Sequence, residues 1–195
     1  ALACLLLTSG CAPSTTLSKS WRDPATTITM GQFSKILIAA FVKDETSRRI
    51  IEDDVVKMIK GKAVASYQVL GSARADMSEE ELAAKVQGEG FDAAVVMRML
   101  DMEKEMEYVP GTGAYPAYYR GFYGFYRGVY SGFYNPGYYQ ENKIYSVETN
   151  IYSLKENKLI WSGVTETVNP TKLDKMVSEI GKVIFDEMKK QGFLY

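Results

Sequence analysis

The sequence contains no histidine, and that absence removes the commonest metal ligand together with the commonest general base at neutral pH. Serine and cysteine triads that depend on an imidazole are excluded with it. An excess of either charge is missing too, with 23 Lys and Arg against 24 Asp and Glu and a net charge of -1. Such a chain has no general attraction to nucleic acid or to an anionic membrane surface. Cysteine occurs only at Cys4 and Cys11, so the remaining residues hold no thiol for a disulfide or a metal. Long hydrophobic runs are also lacking, because Ala1 to Leu7 is too short to span a bilayer. We therefore expect no catalytic residue, no metal and no cofactor, and read the chain as not an enzyme.

What is present starts with that short apolar run, the small residues Thr8-Ser9-Gly10 and then Cys11. The stretch resembles the bacterial lipobox, in which the cysteine after the small residues receives a diacylglycerol and becomes the new N-terminus. The resemblance implies that residues 1–10 are a truncated lipoprotein signal peptide, that Cys11 is the lipidation site, and that Cys4 is discarded. Ala12 to Ser20 is small and polar without apolar periodicity, and reads as a lipidated tether over residues 11–20. Nine extended residues would reach roughly 30 Å. Ala12 in place of aspartate after Cys11 is similar to lipoproteins sorted to the inner leaflet of the outer membrane, which implies a domain facing the periplasm. A lipidated N-terminus with more than one acyl chain anchors stably without a membrane-binding surface in the fold.

The most regular part is Lys143 to Val168, read as a β-hairpin at the centre of a sheet. Tyr145, Val147, Thr149 and Ile151 share one face at period two, as do Leu159, Trp161, Gly163 and Thr165. Lys155-Glu156-Asn157-Lys158 is a polar break that suits a tight turn, with Asn157 able to take the left-handed conformation. Upstream, Phe33 to Phe41 reads as a strand covered on both faces. Ser47 to Lys60 reads as a helix capped by Asp44 or Thr46 and ended at Gly61, and Ala63 to Leu70 as the next strand. Ser78-Glu79-Glu80-Glu81 is a capping box before a second helix closed by Gly88 and Gly90. Asp92 to Glu107 then forms a long strand, and Thr171 to Gln191 a C-terminal helix whose stripe includes Leu173, Val177, Ile180, Ile184 and Met188, stopped by Gly192. The fold class is α/β with a mixed sheet: β-α-β-α-β, an antiparallel hairpin and a C-terminal helix, in a single domain over residues 21–195.

Trp21-x-Asp23-Pro24, Lys35-Ile36-Leu37-Ile38, Arg48-Arg49-x-x-Glu52, Gly90-Phe91-Asp92-Ala93, Tyr108-Val109-Pro110-Gly111, Leu159-Ile160-Trp161-Ser162-Gly163 and Gly192-Phe193-Leu194 occur together over essentially the whole chain. In this combination the sequence resembles a family of uncharacterised bacterial outer-membrane or periplasmic lipoproteins. The order of elements is similar to the domains of the penicillin-binding-protein activator, the curli-secretion lipoprotein and the TolB N-terminal type. Those relatives are binding or assembly modules, and the resemblance implies no catalytic motif.

One stretch fits no core. Residues 111–139 hold nine tyrosines, three phenylalanines and seven glycines, with Arg120 and Arg127 as the only charges. An imperfect repeat runs through it, Arg120-Gly121-Phe122-Tyr123-x-Phe125-Tyr126 and then Arg127-Gly128-Val129-Tyr130. Glycine at this density resists helix, so the segment reads as an insertion between two strands, either self-packed or a contact surface. As a surface it offers Tyr115, Tyr118, Tyr119, Arg120, Phe122, Tyr123, Phe125, Tyr126, Arg127, Tyr130, Phe133, Tyr134, Tyr138 and Tyr139. Large rigid rings with hydroxyls suit an envelope protein or the sugar rings of cell-wall glycans. The leading expectation is a membrane-anchored, non-enzymatic binding or assembly module of the cell envelope. The alternatives are a self-associating homo-oligomer built on the aromatic repeats and a hydrolase using Asp101, Glu103, Glu105 and Glu107. Period two puts those carboxylates on one strand face, where solvation is the simpler account.

Overall fold

Two hydrophobic periods build the chain: alternation of two in the strands, and a stripe of 3.6 on the helices that cover them. The computed structural model describes residues 14–29, 31–71, 77–109 and 138–195. In chain order these form β1 (Thr15–Arg22), β2 (Ile36–Phe41), α1 (Glu45–Ile59), β3 (Ala63–Ala65), α2 (Ser66–Leu70), α3 (Glu79–Gly88), β4 (Ala93–Val109), β5 (Tyr138–Ser153), β6 (Lys158–Val168) and α4 (Leu173–Lys190). The six strands make one mixed sheet in the order β1-β6-β5-β4-β2-β3. β2 is parallel to both β3 and β4, and β1 is antiparallel to β6. The residues divide into two compact units: a body of residues up to 102 and from 145 onward, and a ribbon from the described residues between 103 and 144.

The α/β architecture is as expected, and so are its main punctuation marks. Asp44 caps α1 by accepting from the Ser47 N–H, and Ser78 with Glu81 closes the full capping box of α3. Asn157 turns the hairpin with φ 47°, and Gly192 ends the last helix at φ 62°, a conformation costly to any residue with a Cβ. Val147, Thr149, Ile151 and Ser153 alternate as buried residues along β5, and Trp161 on β6 is wholly enclosed.

Several expectations are corrected. The tether read as far as Ser20 is already strand from Thr15, registered against β6 from Thr167 to Trp161 with a bulge between Leu17 and Lys19. Its polar residues find partners instead of water: Thr15 is buried, its hydroxyl 2.9 Å from that of Thr167 and donating to Glu179 at 3.0 Å. Because β1 adds outside β6, the central pair of the sheet is β5 and β4 rather than the hairpin itself. The first parallel strand begins at Ile36, later than Phe33. Ala63 to Leu70 is strand only to Ala65 and then helix, because the Glu52 carboxylate accepts from the Ser66 hydroxyl at 2.8 Å and the Tyr67 N–H at 3.1 Å and so caps a new turn. β5 begins at Tyr138, not Lys143, so Tyr138 and Tyr139 belong to a strand.

Within the body the sheet is covered on both faces. Ile38 and Ala40 of β2, Met97 of β4 and Ile151 of β5 pack with Ile51 and Val55 of α1 and with Val177, Ile180, Ile184 and Met188 of α4. Leu37 and Ala94 point the other way, to Leu70, Val86 and Phe91. Each fully buried aliphatic or aromatic side chain stabilises by about 1.5–3 kcal/mol, so the larger cluster sets the fold. Trp161 lies over Gly163 so closely that a Cβ there would come within 2.4 Å of the indole. Its Nε1–H donates to Gln191 at 3.1 Å, and Gln191 donates to Ser20 at 2.7 Å, tying the end of α4 to β1.

Candidate functional site

Strands β4 and β5 outrun their neighbours. The pairing of β2 with β4 ends at Phe41 opposite Arg98, while β4 continues to Val109. In the ribbon the two strands touch through Lys104 and Glu141 (3.2 Å), Asn142 donating to Glu107 (2.9 Å), and the rings of Tyr108 and Tyr139 (5.2 Å between centroids). From Lys104 with Glu141 to Tyr108 with Tyr139 the numbers rise on one strand and fall on the other, as in an antiparallel pair. The contacts also sort the side chains. Lys104, Met106 and Tyr108 share a face with Tyr139 and Glu141, and Glu103, Glu105 and Glu107 share the opposite face with Asn142.

None of the described residues covers either face. Met106, Tyr108, Tyr138 and Tyr139 are 63%, 54%, 60% and 68% exposed, far above what apolar residues of a finished sheet show. The acidic face behaves as a solvated one: every residue from Arg98 to Tyr108 is exposed, and no group of three metal-ligating side chains occurs among the described residues. Asp101, Glu103, Glu105 and Glu107, the carboxylates of the alternative hydrolase reading, all stand in this exposed stretch. Of the expected partner-binding residues, the structure brings Tyr138 and Tyr139 onto this ribbon. Tyr115 through Tyr134, and Cys11, the expected lipidation site, lie outside the described residues.

The body carries polar features that periodicity does not reveal. Arg48 and Glu52 are buried on α1, 3.3 Å apart, and Glu52 also accepts from the Ala40 N–H at 3.0 Å, so one carboxylate joins α1, β2 and the start of α2. The other end of Arg48 is held by Glu45 at 2.6 Å, and that hydrogen bond brings the Glu45 carboxyl down to about 2 while raising the Arg48 guanidinium. Arg48 and Glu52 find partners in Glu45, Ser66, Ala40 and Tyr67, so the network braces α1 against β2 and α2. Asp92 is a second brace. Burial pushes its carboxyl up, but hydrogen bonds from the Ser34 N–H, the Ser34 hydroxyl and the Lys35 N–H outweigh this and hold it below the ordinary value. The sequence hint to the first network was the spacing of Arg48 and Glu52, one turn apart on the side that also carries Ile51 and Val55.

Among the described residues of the body a cleft opens beside the start of α4, lined chiefly by apolar side chains, with a volume of about 470 Å³. No helix among the described residues is long and apolar enough to cross a membrane.

No family model and no curated protein matches the chain. Among solved structures it is similar to the PelC dodecamer of Paraburkholderia phytofirmans, with 10% identity, a TM-score of 0.44, and coverage of 87% of this chain and 94% of that one. It is also similar to lipoprotein GNA1162 of Neisseria meningitidis, with 8% identity, a TM-score of 0.42, and coverage of 80% and 99%. Likeness at this level carries no argument about function.

Proposed function

We propose that the chain is a non-enzymatic binding or assembly module of the bacterial cell envelope, held by lipid on Cys11 to the inner leaflet of the outer membrane with its body in the periplasm. The observation that supports this reading is the ribbon. Among the described residues its two strands expose both faces, one acidic and one set with Met106, Tyr108 and Tyr139. Exposed strands of this kind are a liability in solution unless a partner covers them. In sequence the aromatic residues 111–137 connect the two strands. The partner is an envelope protein or a cell-wall glycan, both of which tyrosine rings can grip.

The test is capture from envelope extract with the full chain and with a variant in which residues 110–137 are replaced by a short turn. Loss of the captured partner on replacement supports the reading, and full retention overturns the role of this surface. Cys11→Ser should move the protein from the membrane fraction to the soluble one; a soluble wild-type chain would overturn the anchorage. A second reading, self-association through the ribbon, is favoured by the Lys104 and Glu141 pair beside the tilted rings of Tyr108 and Tyr139, since a second copy could repeat both. Light scattering on the same two proteins decides it by mass.

A further inference from the structure

The cleft of about 470 Å³ lies within the range of small-molecule sites, about 300–1,000 Å³. Its position follows from the topology. From β2 the chain goes by way of α1 to β3 on one side, and then returns to β4 on the other side of β2. The order of strands reverses between β2 and β4, and open α/β sheets bind ligands outside the carboxyl ends of the strands at such a point. The cleft is there, reached from the last residues of β2 and the first turns of α1 and α4.

Its chemistry is divided. Met97, Val147, Ile51, Val177 and Ile180 form the interior, all of them buried core residues with no polar side-chain atom to offer. Met176, at the edge, adds an unbranched thioether that can adapt to an irregular chain. The mouth is different. Lys43 and Lys172 stand there, and neither forms an ion pair among the described residues. The other charges of the rim are already engaged: Asp44 accepts from the Ser47 N–H at 2.6 Å, and Arg98 is paired with Glu148. Lys172 is also the first residue flanking α4 and gives that helix no side-chain cap, so the positive end of its dipole adds to the same sign.

We propose that this cleft binds a long-chain carboxylate, its alkyl chain in the Met97 and Val177 interior and its head group taken by Lys43 and Lys172. A ligand of apolar body and single negative end is the one that leaves no buried polar group unpaired and uses both free cations. The inference is independent of the ribbon and of its partner.

The experiment titrates the full chain with the fluorescent fatty acid cis-parinarate and displaces it with palmitate, hexadecanol and hexadecyltrimethylammonium. One saturable site per chain is expected, with palmitate the tightest competitor. Affinity across shorter saturated acids should rise about fourfold for each added methylene until the cleft is full. Lys43→Glu with Lys172→Glu should weaken palmitate about tenfold or more and leave hexadecanol unchanged, while Met176→Trp should block all three. The lysines are exposed, so their variant keeps the test valid if the tryptophan variant fails to fold. Methyl NMR gives the location: palmitate should shift Met97, Met99 and Met176 and leave Met106 still. Absence of saturable binding, equal affinity for the cationic amphiphile, or shifts confined to Met106 would each overturn the proposal.

Discussion

Strands β4 and β5 each contribute residues to both the body and the ribbon. From Ala93 to Met97, β4 is covered on both sides and its residues serve the core; from Arg98 to Tyr108 the same strand is exposed throughout. The backbone is β in both stretches, so hydrogen bonding alone does not distinguish them. What differs is whether a side chain leaves water. In the body a residue is constrained by Trp161, Ile180 or Leu37 packed against it; in the ribbon, Glu105 and Met106 are adjacent and nothing rejects either. Sequence in the first stretch reports on folding, and sequence in the second is free to report on contacts with other molecules.

The comparison can be broken at its strongest point by Trp161→Ala. Removing a buried tryptophan should cost about 3–5 kcal/mol of unfolding free energy, whereas Tyr108→Ala on the ribbon should change it by about 0.5 kcal/mol or less. Equal losses in chemical denaturation would erase the distinction. Arg48→Met should come next, at about 3 kcal/mol, because it strands the buried Glu52 carboxylate without its cation; an unchanged midpoint would mean that Glu52 is held by its Ala40, Ser66 and Tyr67 donors alone. A smaller effect depends on pH. Hydrogen bonds from Arg48 and from Lys158 hold Glu45 and Asp23 at about 2, below their ordinary values of 4.5 and 3.8. A carboxylate depressed in the folded state stabilises it above its unfolded pKa, and that contribution disappears as pH falls from about 4.5 to about 2. Glu45→Gln should therefore flatten the acid limb of stability against pH, and a limb of unchanged slope would count against the Arg48 contact. The smallest change is expected from replacing residues 110–137 by a short turn. Tyr108 and Tyr139 already hold the strand ends together, and closure entropy grows only with the logarithm of loop length. A shift of more than about 1 kcal/mol would show that the replaced residues belong to a core.

Where the chemistry of one residue and its near neighbours decides structure, the sequence was legible. The capping box at Ser78, the turn at Asn157, the stop at Gly192 and the stripe of α4 were all read from short patterns and are present. β1 escapes the sequence because Thr15-Thr16-Leu17-Ser18-Lys19-Ser20 has no apolar alternation; it is a strand through its pairing with β6, which sets the Thr15 hydroxyl beside Thr167 and Glu179, more than 150 residues away. α2 was read as strand for a related reason, since Val64 and Val69 favour strand and the turn is forced by Glu52 from another helix. The candidate surface was half legible. Tyr138 and Tyr139 were picked out by composition, but assigning them to a paired strand required knowing where β4 ran. The cleft was illegible, because Met97, Val147 and Val177 look like any core residues until three elements fail to close over them.

The start of β1 alters how the protein meets its surroundings. A tether through Ser20 would have let the body wander some 30 Å from its anchor, whereas a strand from Thr15 leaves only three residues after Cys11, or about 10 Å of extended chain. Reach shortened threefold thins the layer open to the body roughly threefold, and under the proposed anchorage the concentration of the body near the bilayer rises by about the same factor. Partners floating freely in the periplasm would gain little from this. Those fixed in or against the same membrane would find the protein confined to a thin layer, so that encounter becomes a search in two dimensions rather than three.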